Sequence, residues 1–488
     1  MVLQRGQTNP IWGWDAPGTH ITLRFAGQNY SVITGADGKW IIRLIALPAN
    51  AKSQTITITG TTKRVIQDVL IGEVWICSGQ SNMDLKLDFD SNGDIEAAAS
   101  NLPNLRLILV PQVGPPELQT DFKGEWRSST PETAKHFSAV GFLFGRYIHQ
   151  ALGLPVGLID NAWGGSTTEA WISREALERE SCFAALLTVA AKKDAYWQSP
   201  TGKADYGQAV AEWKVACGRA IAEGSPIPGG PPNWIAGGTR PGNLFAGILN
   251  PIVGYGIKGV VWYQGEANAS RAYEHRDLFP FLIENWRREW RQGDFPFYWV
   301  QLPRFNAVKV APGDSDWAEL RETQTSAMRL PHTGQAVAID LGEAQTIHPR
   351  NKHEVAARLA RWALAKDYGL KMPYHSPEFS SLEILGNKAV ITFNCFGSLL
   401  RTFDVADVRG FALCGPDRVW HWATARIIAP DKVAVESDSV PRPIAVRYAW
   451  AENPECNLIS GDSLPVTPFR TDDFPMTTKP SSDKDVKY

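Results

Sequence analysis

The 488-residue sequence has little that would tie it to a membrane, a nucleic acid or a metal. No apolar run is long enough for a transmembrane helix. Lys and Arg number 49 against 51 Asp and Glu, a formal charge of −2, so the basic footprint of a nucleic-acid or anionic-membrane binder is missing. The six cysteines (Cys77, Cys182, Cys217, Cys395, Cys414 and Cys456) include no CxxC pair and no metal-type cluster, and their spacing assigns no disulfide. The nine histidines are scattered and suggest no metal site; no cofactor is expected. The first residues, Met1-Val2-Leu3-Gln4-Arg5, lack the charged, apolar and cleavage regions of a signal peptide.

What is present is a globular composition, 44% apolar and 20% charged, on a chain longer than one hydrophobic core normally organises, so two or three domains are expected. Trp is abundant, at 19. Trp fills cores, and its face also stacks on sugar rings, so the count leans toward carbohydrate while any single Trp defaults to the core.

The pattern along the chain is β, then α/β, then β. Residues 1–68 read as a β-sandwich, with runs at Ile21–Phe25, Trp40–Leu44 and Thr55–Ile58 separated by Gly-, Pro- and Asn-containing turns. Residues 69–371 alternate short apolar runs with helical periods, the grammar of a parallel sheet flanked by helices. Its strands are expected at Glu73–Cys77, Val156–Asp160, Ile257–Tyr263, Phe297–Gln301 and Gln335–Asp340. A helical, then Gly/Pro-rich, insertion occupies about 174–245. Residues 372–476 return to β, and the polar residues 477–488 read as a disordered tail.

Ligands of open α/β sheets bind beyond the carboxyl ends of the strands. Four of the five expected strands run there into an unusual segment. The first ends in Ser78-Gly79-Gln80-Ser81-Asn82-Met83, a small loop that lets a Ser hydroxyl project; alone it is as well read as a polar connection. The second ends in Asp160-Asn161-Ala162-Trp163-Gly164-Gly165, whose glycines permit either a tight turn or the close backbone approach of an oxyanion donor. The third ends in Gln264-Gly265-Glu266-Ala267-Asn268, a density of polar groups that is costly for folding alone. The last leads to Thr346-Ile347-His348-Pro349, which puts a histidine on the same edge as Ser81, where a general base would stand. Each segment has a structural explanation; their coincidence on one edge points to a site.

The order GQSN (79–82), an Asn before WGG (163–165), WYQGExN (262–268) and IHPxNK (347–352) resembles the sialate O-acetylesterase family, within the SGNH hydrolase superfamily. The resemblance spans nearly the whole chain, from Met1–Arg5 to Pro468–Asp472. It implies an α/β fold, an SGNH-type flavodoxin-like parallel sheet flanked by N-terminal and C-terminal β-domains, and a serine esterase without a metal that removes acetyl groups from carbohydrate. Carried over by motif, Ser81 would be the nucleophile and His348 the base. The backbone N–H groups of Ser81 and of Gly164 or Gly165, with the Asn268 side chain, would form the oxyanion hole. Gln80, Trp163 and Gln264 would contact substrate. Relatives often place an Asp two residues before the histidine; here Thr346 stands there, so Glu266 becomes the expected acid behind His348, ahead of Glu343 and Asp340. A Ser-His dyad held by a backbone carbonyl is the alternative. Family members usually carry a signal peptide ahead of the segment at which this chain starts, which implies a periplasmic or secreted protein.

The expected substrate is an acetylated sugar, sialic acid or a hemicellulose unit such as acetylated xylose. Arg240 or Arg271 near Ser81 would suit the sialic carboxylate, whereas a neutral cleft of Trp163, Trp171, Trp234 and Trp262 would suit plant polysaccharide. The rival reading is a carbohydrate-binding protein with a lapsed esterase site. A lipase or peptidase on the same scaffold is a third, more distant one. Oligomeric state is not legible in the sequence.

Overall fold

A computed structural model describes residues 1–231 and 233–480. Its centre is a sheet built from β1 (Lys63–Gly79), β2 (Leu102–Leu109), β3 (Arg127–Ser129), β4 (Val156–Asp160), β5 (Gly259–Tyr263), β6 (Phe297–Gln301) and β7 (Thr333–Val337), in the order β7-β6-β5-β1-β4-β2-β3. Every pairing is parallel except that of the edge strand β3. Without the added edge formed by β2 and β3, this is the flavodoxin-like order expected from the sequence. In such a sheet the order in which strands are added reverses at the first strand, here with β5 on one side of β1 and β4 on the other. That switch point opens a crevice at the carboxyl edge.

The sheet is buried on both faces, which is why its strands are apolar throughout rather than alternating. Alternate residues of β1 serve two cores. Val74 and Ile76 pack with Trp262 and Trp299 toward the helix α5 (Ala272–Trp290). Trp75 and Cys77 pack instead with α2 (Ala139–Leu152) and α7 (Lys352–Lys366). Trp171, Trp262 and Trp286 meet edge to face at ring separations of 5.6 and 5.8 Å, each contributing on the order of 2–3 kcal/mol by burial. Trp171 and Trp262, read from the sequence as possible cleft residues, are thus fully buried core. None of the six cysteines is in a disulfide.

The boundary read at 68/69 falls inside β1, a 17-residue strand. Its first half pairs with Val2–Gln4 and Asn50–Thr59 of the N-terminal β-region, and its second half with β4 and β5. One continuous strand therefore couples the two units. The C-terminal region forms two four-stranded antiparallel sheets around a core of its own. Arg321, fully buried on α6 (Asp316–Ser326), fastens that region by donating to the carbonyls of Leu302, Pro303, Ala451 and Glu452. The segment expected to be a loose tail begins differently: Thr477 and Thr478 both bond the Glu319 carboxylate. Residues 481–488 of that expected tail lie outside the described residues.

The helical insertion forms α3 (Ala184–Gln198) and α4 (Pro200–Glu223). It stands over the carboxyl edge of the sheet, where α3 walls one side of the pocket described below.

At the end of β1 the backbone of Gly79 lies against that of Tyr263 at the end of β5. Gly79 has φ +133°, and a Cβ there would sit 2.2 Å from the Tyr263 carbonyl oxygen. Gly79→Ala should therefore lower stability by about 2 kcal/mol or more. Urea denaturation is the check; an unchanged midpoint would show that this approach is not a constraint.

Candidate active site

Three of the sequence-singled segments meet where β1, β4 and β5 end. Gly79 turns the chain, and Ser81 begins a one-turn helix, α1 (Ser81–Asp84). Gln80 locks this turn to the next strand: its N–H donates to the Tyr263 carbonyl at 2.9 Å, and its Oε1 accepts the N–H groups of Gly265 and Ala267 at 3.3 and 3.2 Å. The Ser81 hydroxyl remains partly exposed and faces the His348 ring, with Oγ 2.8 Å from Nε2. Two residues separated by 267 positions in sequence are thus in hydrogen-bond contact.

On the β4 side, Gly164 approaches Ser81 so closely that a Cβ there would lie 3.6 Å from that of Ser81. Among the described residues, the backbone N–H groups of Ser81, Gly164 and Gly165 donate to no protein acceptor, an arrangement suited to an anion placed between them. Asn268, fully buried, is held by its amide oxygen. That oxygen accepts Thr168 N–H at 2.9 Å, Thr168 Oγ1 at 3.2 Å and Gln264 Nε2 at 2.7 Å, which fixes Nδ2 as the donor end. One Nδ2 hydrogen goes to Glu169 Oε2 at 3.1 Å, and the other has no acceptor among the described residues.

Two residues expected to touch substrate have side-chain amide groups committed to the protein. Gln264 is fully buried and spends both ends of its amide on Thr168, Ser166 and Asn268; Gln80 is 4% exposed and ties two loops together. Polar residues at a strand end look available in sequence, but here they satisfy the buried backbone of the crevice. Trp163 is half-buried and packs against the core.

The acid expected behind His348 is not on the imidazole. The Glu266 carboxylate accepts from Asn82 Nδ2 at 2.5 Å. Of the other two candidates, Glu343 accepts the Arg350 N–H at 2.8 Å, and Asp340 is held by both Nη groups of Arg358 at 2.6 and 2.7 Å. Thr346, standing where relatives have Asp, accepts the His348 N–H through Oγ1 at 3.1 Å. Among the described residues, His348 Nδ1 has no hydrogen-bond partner. Burial lowers the His348 pKa below its ordinary value, with a further push from the Lys352 charge. A neutral ring with its Nε2 on a hydroxyl can accept a proton.

A pocket of about 590 Å³ lies alongside, walled by Leu186, Ala190 and Lys193 of α3, by Trp234, and by Thr167 and Ala267, each one residue from the Thr168–Asn268 pair. Arg271 also lines it. Both arginines considered for carboxylate recognition are ion-paired: Arg271 with Glu169 and Glu274, and Arg240 with both oxygens of Asp194. The Glu169–Arg271 pair and Thr168 carry no signature in the sequence; only the fold reveals that they hold Asn268.

Comparison with known proteins places the chain among carbohydrate esterases. A family model described as "Carbohydrate esterase, sialic acid-specific acetylesterase" matches residues 234–365. A solved carbohydrate acetylesterase from Xanthomonas citri is 36% identical, with a TM-score of 0.81 and 97% of each chain covered. The chain belongs to the sialate O-acetylesterase family of carbohydrate esterases. Within it, the sialate O-acetylesterase of Mus musculus is 29% identical over 96% of this chain and 92% of its own length. That of Homo sapiens is 27% identical over 96% and 90%.

Because burial and the Lys352 charge both disfavour the imidazolium, the His348 ring should titrate below pH 6.5. NMR titration of ¹⁵N-His protein, assigned with His348→Asn, measures it directly; a midpoint above 6.5 would contradict this electrostatic picture.

Proposed function

We propose that the protein hydrolyses O-acetyl esters on sugars through an acetyl-Ser81 intermediate. The observation that carries this is the 2.8 Å contact between Ser81 Oγ and His348 Nε2, next to backbone N–H groups without protein acceptors. It is supported by membership of a family whose relatives bear the names sialate O-acetylesterase and carbohydrate acetylesterase.

The chemistry follows from the geometry. Ser81 Oγ attacks the acetyl carbonyl as its proton passes to His348 Nε2. The carbonyl oxygen becomes an oxyanion, received by the N–H groups of Ser81 and of Gly164 or Gly165, together with the free Nδ2 hydrogen of Asn268. Collapse breaks the ester bond, and the proton on His348 goes to the departing sugar oxygen. Water then attacks the acetyl-enzyme, giving its proton to His348, and acetate leaves as Ser81 recovers that proton. The charge that develops on the carbonyl oxygen is met by fixed protein groups. The sugar would rest in the neighbouring pocket under α3, which is lined by Thr167, Lys193 and Trp234.

Glu169 has a defined part in this scheme. Its carboxylate holds Asn268 Nδ2 and is itself held by Arg271, so the donor is oriented before substrate arrives.

Ser81→Ala and His348→Ala should each reduce kcat for acetyl esters by about a thousandfold or more, and Asn268→Ala by about a hundredfold. Acetate release from acetylated xylo-oligosaccharides, O-acetylated sialic acids and p-nitrophenyl acetate is the assay. Rates for wild type and Ser81→Ala that are equal and no more than residual would remove the esterase reading and leave the carbohydrate-binding one.

A further inference from the structure

His348 lacks a carboxylate on its ring, yet it must be held to work as a base. The structure offers another holder. Asn82, the residue after Ser81, is 1% exposed and makes three side-chain hydrogen bonds across the crevice. Its Nδ2 donates to the Ile347 carbonyl at 3.0 Å, immediately before His348, and to Glu266 Oε1 at 2.5 Å. Its Oδ1 accepts from Lys352 Nζ at 2.6 Å. Lys352 opens α7, has no exposed surface, and has its own N–H on Asp90 Oδ1 at 2.9 Å.

These partners leave the amide one orientation. An ammonium only donates and an ionised carboxylate only accepts, so a turned amide would set donor against donor and acceptor against acceptor. The two side chains carry opposite charges with the neutral amide between them; burial raises the Glu266 pKa, and the Asn82 hydrogen bond and the Lys352 charge oppose that shift. Both ends of the clamp belong to the reacting pair: the Asn82 backbone continues from Ser81, and the carbonyl it grips leads into His348.

We propose that Lys352 and Glu266 are positioning residues that together orient the Asn82 amide, and that this amide, by gripping the Ile347 carbonyl, fixes His348 on Ser81 in place of an acid on the imidazole. The inference rests on the Ser81–His348 reading above and assigns Glu266 a role at one remove from the ring.

The charges add an electrostatic consequence. Lys352 faces Glu266, Asp90 and Glu343, as well as the Tyr263 ring, whose centroid is 5.4 Å from Nζ. Asp90 is shared with His353, which also reaches Glu96. Burial lowers the Lys352 pKa to about 7, so the ammonium is present below neutrality, where His348 titrates, and opposes the imidazolium. Removing that charge raises the His348 pKa. The acid limb of kcat/KM, set by protonation of the base, then moves to higher pH.

The test compares the full-length wild type, Lys352→Met, Glu266→Gln and Ser81→Ala with p-nitrophenyl acetate across pH 4.5–8 (about the range in which His348 and Lys352 change charge). Circular dichroism verifies folding. Lys352→Met should lower kcat about tenfold or more while KM stays within about threefold, and should move the acid limb upward. If Lys352→Met does not fold, Glu266→Gln decides, since it keeps an acceptor for Asn82 and should lower kcat at nearly constant KM. A folded variant with wild-type kcat, a loss confined to KM, or an unmoved limb in Lys352→Met overturns the inference. Failure of the underlying reading is distinguishable, because it would appear as an active Ser81→Ala.

Discussion

The close approach of β1 and β5 at their carboxyl ends is the constraint on which the site depends. Gly79 lies against the backbone of Tyr263 with no room for a side chain, and Gln80 then bonds across to Tyr263, Gly265 and Ala267. This fixes the relation between the loop that carries Ser81 and the loop that carries Glu266 and Asn268. A wider separation of those strands would break the Asn82–Glu266 contact and the Gln80 bridge together. The switch-point topology supplies the crevice; the absent Cβ lets its two walls close.

Around that junction, two chains of buried polar contacts hold the residues on either side of Ser81. Arg271 holds Glu169, Glu169 holds the amide nitrogen of Asn268, and Thr168 and Gln264 hold its oxygen. On the other side, Lys352 and Glu266 hold Asn82. Two asparagines, each with its orientation dictated by charged or donating neighbours, thus flank Ser81. Buried amides so constrained lose little freedom when substrate arrives, which is the condition for stabilising charge that appears only in the transition state. Unsatisfied they would be expensive, and this accounts for the density of polar residues at the strand ends.

The fold was largely legible because its strands are continuous apolar runs with punctuated ends. Val156–Asp160 and Phe297–Gln301 are read with their observed limits. The strand expected at Gln335–Asp340 instead spans Thr333–Val337, since Asp340 turns out to pair with Arg358 beyond the strand end. Strand Leu102–Leu109 is not among the five expected strands, although Leu105–Val110 carries an apolar signal. At the site, the sheet topology was enough to bring Ser81, Gly164 and Asn268 to one edge, with His348 on the loop beyond. Side-chain partnership was not legible. Asn82 meets Glu266 across 184 positions and Lys352 across 270, and no local spacing encodes either contact. The protein partners of Gln80 and Gln264 are equally hidden, since they are backbone and side-chain groups supplied by other segments.

The central claim is that Ser81 carries the acetyl group during turnover. Its most direct measurement is mass spectrometry of peptides from enzyme quenched in acid during turnover of an acetyl ester, with Ser81→Ala treated in parallel. The account predicts an acetyl adduct on the peptide containing Ser81 in the wild type and none on the corresponding peptide of the variant. Efficient turnover by the variant, or an adduct formed only at another residue, would contradict it.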